Sequence, residues 1–141
     1  HNVENIDSTY NTLYTKLDSV IDKAKSFTGV PWQYAGLDQN GLDCSGLICT
    51  SFKYAKIDLP HSSSLLSEMG IPVEVDSLKM GDLAFFGLSP NGRVGHVAIV
   101  SKVIDGKVYL IHSTTSRGVI EEVLQENAYF MQRWLFNRRI I

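Results

Sequence analysis

Apolar residues in the first third of the chain recur three and four positions apart: Leu13, Leu17, Val20, Ile21, Ala24 and Phe27. That spacing lines one face of a helix. Thr28-Gly29-Val30-Pro31 ends it, because Gly and Pro do not continue a helix. Residues 31–41 carry the turn signals Gly36, Asp38 and Asn40-Gly41 and read as a loop. A second helix is predicted from the cap residue Asp43. Cys44, Leu47, Ile48, Phe52 and Ala55 form its apolar stripe. A short third helix is predicted over residues 62–69. Past Gly70 the pattern becomes that of strands, at residues 82–86, 96–103, 107–113, 118–124 and 134–141. Helices first and an antiparallel meander of about five strands afterwards is an α+β arrangement, with the N-terminal helices packed on the sheet.

Composition changes this picture little. The 141 residues suffice for one domain with a sizeable core. With 44% apolar and 20% charged residues, disorder is excluded as the default. A net charge of −2 and no basic run longer than Arg138-Arg139 give no phosphate-binding stripe, so no nucleic-acid partner is expected. No apolar stretch approaches the ~20 residues of a membrane helix. No signal segment is visible at His1-Asn2-Val3, which reads as a mature or trimmed end. His1 is given no role in the site.

Two cysteines are present, Cys44 and Cys49. On one helix they stand about 140° apart around the axis, which disfavours a disulfide. Cys44 follows the cap, where unpaired N–H groups and the helix dipole favour a thiolate. Cys49 lies mid-helix and reads as a small buried hydrophobe. For Cys44 alone, that bland reading and the reactive one weigh equally. The histidines tip the balance. His96 opens one strand and His112 closes the next. His96 would take the proton of Cys44, and His112 would hold the far nitrogen of His96 and set its tautomer. Zinc is the rival use of the same atoms. Cys44, His96 and His112 are separated by 52 and 16 positions, unlike the grouped ligands of compact zinc motifs. Neither a metal nor another cofactor is expected.

At these residues the chain resembles the NlpC/P60 family of papain-like cell-wall cysteine peptidases. Gly41-Leu42-Asp43-Cys44-Ser45-Gly46-Leu47 is similar to the family's nucleophile motif, and Leu59-Pro60-His61-Ser62-Ser63 to its Leu-Pro-Arg-Thr-Ser segment. Met80-Gly81-Asp82-Leu83-Ala84-Phe85-Phe86 is similar to its Gly-Asp-Leu-Val-Phe-Phe strand. Gly95-His96-Val97-Ala98-Ile99-Val100 resembles the segment with its base, and Ile111-His112-Ser113 the one with its third polar residue. Each motif is weak alone; five in the family's order are specific.

The resemblance implies a papain-like fold, with residues 1–28 a helix of the same domain and residues 29–141 the catalytic domain. It implies a triad of Cys44, His96 and His112, with the Cys44 N–H as an oxyanion donor. The implied activity is hydrolysis of peptidoglycan stem peptides between γ-D-glutamyl and a diamino acid, in the bacterial cell envelope, by a monomer. The alternatives are another amidase or transacylase chemistry on the same triad, or a non-catalytic cell-wall binding module. Asp43 and Ser45 match positions that help hold a substrate's free amine in relatives acting on trimmed peptides. Trp32 stands where the family often has an oxyanion-assisting or substrate-binding Tyr, and Tyr34 could supply a hydroxyl instead. His61 replaces an Arg, which weakens any anion contact there.

One local signal opposes the triad. Asp105-Gly106 favours a two-residue turn that pairs Ile104 with Lys107. That register sets His112 opposite Ile99, on the face away from His96. Five motifs outweigh one dipeptide, so the expectation is a three-residue loop, Ile104-Asp105-Gly106, or a bulge elsewhere in either strand, which puts both rings on one face.

Overall fold

The computed structural model describes residues 2–141, with side chains from Asn11 onward; His1 lies outside them. The chain opens with α1 (Asn2–Ser26). Its apolar face is buried at Val20, Ile21, Ala24 and Phe27, while Leu13 stays exposed. A two-strand ribbon follows, β1 (Leu37–Asp38) against β2 (Gly41–Leu42), where a plain loop was expected. The loop of this hairpin is Gln39-Asn40, with Gly41 already paired to Asp38, in a segment too short to show strand periodicity. Next come α2 (Cys44–Tyr54) and α3 (Ser63–Leu66), the latter shorter than predicted. Leu47, Ile48 and Phe52 of α2 are fully buried. At roughly 1.5–3 kcal/mol per side chain, they hold the helix to the sheet.

The remaining strands are β3 (Ile71–Pro72), β4 (Leu83–Gly87), β5 (Val94–Ile104), β6 (Lys107–Thr114), β7 (Gly118–Val123) and β8 (Trp134–Arg139). A helix absent from the sequence reading, α4 (Ala128–Arg133), precedes β8. The sheet order is β3-β8-β4-β5-β6-β7, with antiparallel pairing throughout. The consecutive strands β4 to β7 form the expected meander, and β8 returns to the free edge of β4. Arg139 secures this return through two 2.8 Å hydrogen bonds, from Nε and Nη2, to the buried carboxylate of Asp82. Arg138 donates to the carbonyls of Met69 and Gly70. The longest basic run is therefore structural.

Both faces of the sheet are covered. Leu83, Phe85, Val97, Ile99 and Ile111 pack with α1 and α2. Ala84, Phe86, Ala98, Val100 and Leu110 form the second core, under Phe130 and Trp134.

The β5–β6 hairpin resolves the register conflict. Asp105 (φ 51°) and Gly106 (φ 79°) form the two-residue turn, with Ile104 opposite Lys107. The three-residue loop is therefore corrected: the dipeptide rule holds. The shift comes instead from a bulge between Val100 and Lys102, which leaves Ser101 unpaired. Beyond it Ile99 faces Ile111, so His112 is carried opposite Ala98 and diagonal to His96.

Candidate active site

Asp43 caps α2, with Oδ1 accepting from the Gly46 N–H at 2.7 Å. This starts the helix at Cys44. Gly46 is required because a Cβ there would overlap the Gly36 carbonyl, so a chain segment makes the close approach. Asp43 Oδ2 accepts from the Ala35 N–H at 3.0 Å, and Oδ1 lies 2.7 Å from His61 Nε2. Both carboxylate oxygens therefore have protein partners. Ser113 Oγ donates to the Leu42 carbonyl at 2.6 Å, tying the strand of His112 to the segment entering Cys44.

Cys44, His96 and Trp32 line one cleft of about 490 Å³, with the 113–117 turn, Tyr129 and Phe130 around it. His96 Nε2 lies 2.9 Å from His112 Nδ1. The Phe130 ring sits 4.9 Å from each imidazole, centroid to centroid. Ser45 is buried in the first turn of α2. Tyr34 is 83% exposed and is not among the residues lining the cleft. Cys49 is a free thiol whose Sγ meets the Gly46 carbonyl at 3.6 Å. Among the described residues, no three His, Cys, Asp or Glu side chains cluster to hold a metal.

The electrostatics differ from the helix-terminus expectation. Burial raises the Cys44 pKa above the ordinary 9.0, and the Asp43 charge adds to the rise. The backbone hydrogen bonds of Val97, Ser45 and Cys44 itself work the other way and are outweighed. Burial also pushes His96 down from 6.5 to about 3; His112 lowers it further and Glu122 partly offsets this. The resting pair at neutral pH is a thiol beside a neutral imidazole. Any nucleophilic use of this sulfur would require transfer of its proton rather than a standing thiolate.

Sequence reasoning missed Glu122. Its Oε2 lies 2.6 Å from His112 Nε2, and Arg117 Nη2 and Asn127 Nδ2 donate to the same carboxylate. The available signal was register. His112 faces Ile120 across β6–β7, so Glu122 is its diagonal neighbour, as His96 is across β5–β6.

A model of the NlpC/P60 family matches residues 29–139. The chain is 32% identical to the probable endopeptidase NlpC of Escherichia coli, over 89% of this chain and 79% of that protein. It is equally identical to a γ-D-glutamyl-L-lysine dipeptidyl-peptidase of Bacillus cereus, over 88% of this chain but only 36% of that one. The crystal structure of an NlpC/P60 family protein from Bacillus cereus superposes with a TM-score of 0.79 at 33% identity. That match covers 88% of this chain and 40% of the other.

Proposed function

This chain belongs to the NlpC/P60 family, and from that premise we propose that it is a cysteine peptidase cutting amide bonds in peptidoglycan stem peptides. The bond we assign is that between γ-D-glutamyl and a diamino acid, the linkage named in the Bacillus cereus dipeptidyl-peptidase. The observation that carries this reading is the 2.9 Å bond from His96, which shares a cleft wall with Cys44, to the fully buried His112 behind it.

In this scheme His96 uses Nε2 to hold His112 and has Nδ1 left for Cys44. The thiol proton passes to Nδ1 as sulfur attacks the carbonyl carbon. The Cys44 N–H, with Trp32 Nε1–H at the cleft wall, would donate to the developing oxyanion. Collapse breaks the C–N bond, and the leaving amine takes the proton from His96. Water then gives a proton back to Nδ1, attacks the thioester and releases the acid, restoring the thiol. Asp43 and Ser45 are assigned to positioning the substrate end near α2, with His61 competing for the Asp43 carboxylate. The protein is assigned to the cell envelope and to action as a monomer. No helix among the described residues is long and apolar enough to cross a membrane.

Digestion of purified muropeptides, with new ends identified by mass, tests the reading. The expected products are a fragment ending in γ-D-glutamate and one beginning with the diamino acid. No products, or the same products from Cys44→Ala, would overturn it.

A further inference from the structure

Three donors converge on Glu122, and each arrives from a different place in the chain. His112 Nε2 lies at 2.6 Å, Arg117 Nη2 at 3.3 Å from both oxygens, and Asn127 Nδ2 at 3.2 Å from both. Asn127 also caps α4, its Oδ1 accepting from the Phe130 N–H at 3.1 Å. The residue that steadies Glu122 therefore also seats the ring that covers both imidazoles.

This arrangement has a consequence for hydrogens. The His112 bond holds the Glu122 pKa down at about 2, with Asn127 and Arg117 helping, so the carboxylate is ionised at neutral pH and can only accept. The hydrogen between Glu122 and His112 must then sit on His112 Nε2. With His112 neutral, a condition of this inference, that is its one ring hydrogen, so its Nδ1 is bare and accepts. The hydrogen of the 2.9 Å bond then belongs to His96 Nε2. A neutral His96 likewise has one, which leaves its Nδ1 bare. We propose that Glu122 is a positioning residue that acts through His112 to set the tautomer of His96, leaving Nδ1 free to receive the thiol proton. His112 alone does not achieve this, because with its own hydrogen on Nδ1 it would donate to His96 Nε2 and move the His96 hydrogen to Nδ1.

The inference rests on His96 as the base for Cys44. It is tested on the full chain by ¹⁵N resonances of labelled histidines, which report tautomers whether or not a peptide is cut. In the native protein, Nε2 of both rings should carry the hydrogen. In Glu122→Gln, the His96 signal should become a mixture of tautomers. Finding hydrogen on His96 Nδ1 in the native protein would overturn the proposal without any variant. A second arm follows alkylation of Cys44 by iodoacetamide, which needs no wall substrate. Glu122→Gln should slow it about tenfold, well short of the ~10⁴-fold that losing a directly bonded orienter costs. In a His112→Gln background the same change should have less than about a twofold effect, because the intermediary is gone. An equal factor in both backgrounds would mean that Glu122 does not act through His112.

Discussion

Cys44 and Cys49 sit on one helix, and burial raises both thiols; Cys44 shares a cleft with His96 and Cys49 does not line it. Iodoacetamide at neutral pH is expected to modify Cys44 faster than Cys49, and His96→Asn should erase the difference. Equal rates in the native protein would remove Cys44 as the nucleophile. The two histidines should also separate. His96→Asn removes the proposed base and should cost about 10²–10⁴-fold in kcat/KM. His112→Gln keeps an amide that can hold the ring and should retain partial activity. Identical losses would show that these roles are misassigned. The pH profile follows from the direction of the shifts. His96 is depressed to about 3, so its neutral form survives well below 6.5. Cys44 is raised, so the thiol keeps its proton past 9.0. The acid limb of kcat/KM should therefore fall below pH 6.5 and the alkaline limb above pH 9; an acid limb centred at 6.5 would contradict the burial of His96.

At the scale of elements, two hairpins place three side chains in a diagonal row. One unpaired residue, Ser101, decides whether His112 faces His96 or the opposite core. Ser101 is not a passive insertion: its hydroxyl donates to Glu121 at 2.6 Å and lies 3.3 Å from the Tyr109 carbonyl. The turn sets the register of the outer hairpin, pairing Ile104 with Lys107, and the bulge between it and the histidines shifts that register by one. Gly106→Ala tests this division. Open space surrounds Gly106, so the cost is that of placing Ala at φ 79°, about 1 kcal/mol. A melting temperature lower by several degrees with unchanged kcat/KM is expected. A large loss of activity at constant folded fraction would show that the turn controls the site.

For the molecule as a whole, α1 is proposed to belong to the same folding unit as the cleft. Its Val20, Ile21, Ala24 and Phe27 lie in one core with Leu47, Phe52, Leu83 and Ile99. Removing them forfeits on the order of 5 kcal/mol or more of burial, comparable with the total stability of a domain this size. A chain lacking residues 1–28 should show no cooperative thermal transition by circular dichroism. A native-like melt would instead make the helix an appendage. Acid stability is also set globally. The folded state resists protonation at His96 and at Glu122, whose pKa values are both depressed. Below pH 6.5 the unfolded chain gains the histidine proton first, and below 4.5 the glutamate proton. Stability should fall steadily as pH drops toward 3. Glu122→Gln should flatten the part of that fall below 4.5, measured as midpoint denaturant concentration against pH.

The sequence by itself determined the elements that carry strong periodicity, and the chemistry that rests on them. The stripe of α2, its Asp43 cap and the apolar runs of β5 and β6 follow from local spacing and composition. Five short motifs in order identified the family from the same local information. Tertiary structure alone decided what depends on distant partners. The return of β8 to the edge of β4 rests on Arg139 meeting Asp82, and Glu122 meets His112 only through the β6–β7 register. The state of the Cys44 thiol was likewise out of reach, since a helix N-terminus is visible in sequence while the burial that outweighs it is not. Ser101 shows the limit most plainly: an unpaired residue in a strand looks like any other until both strands are laid side by side.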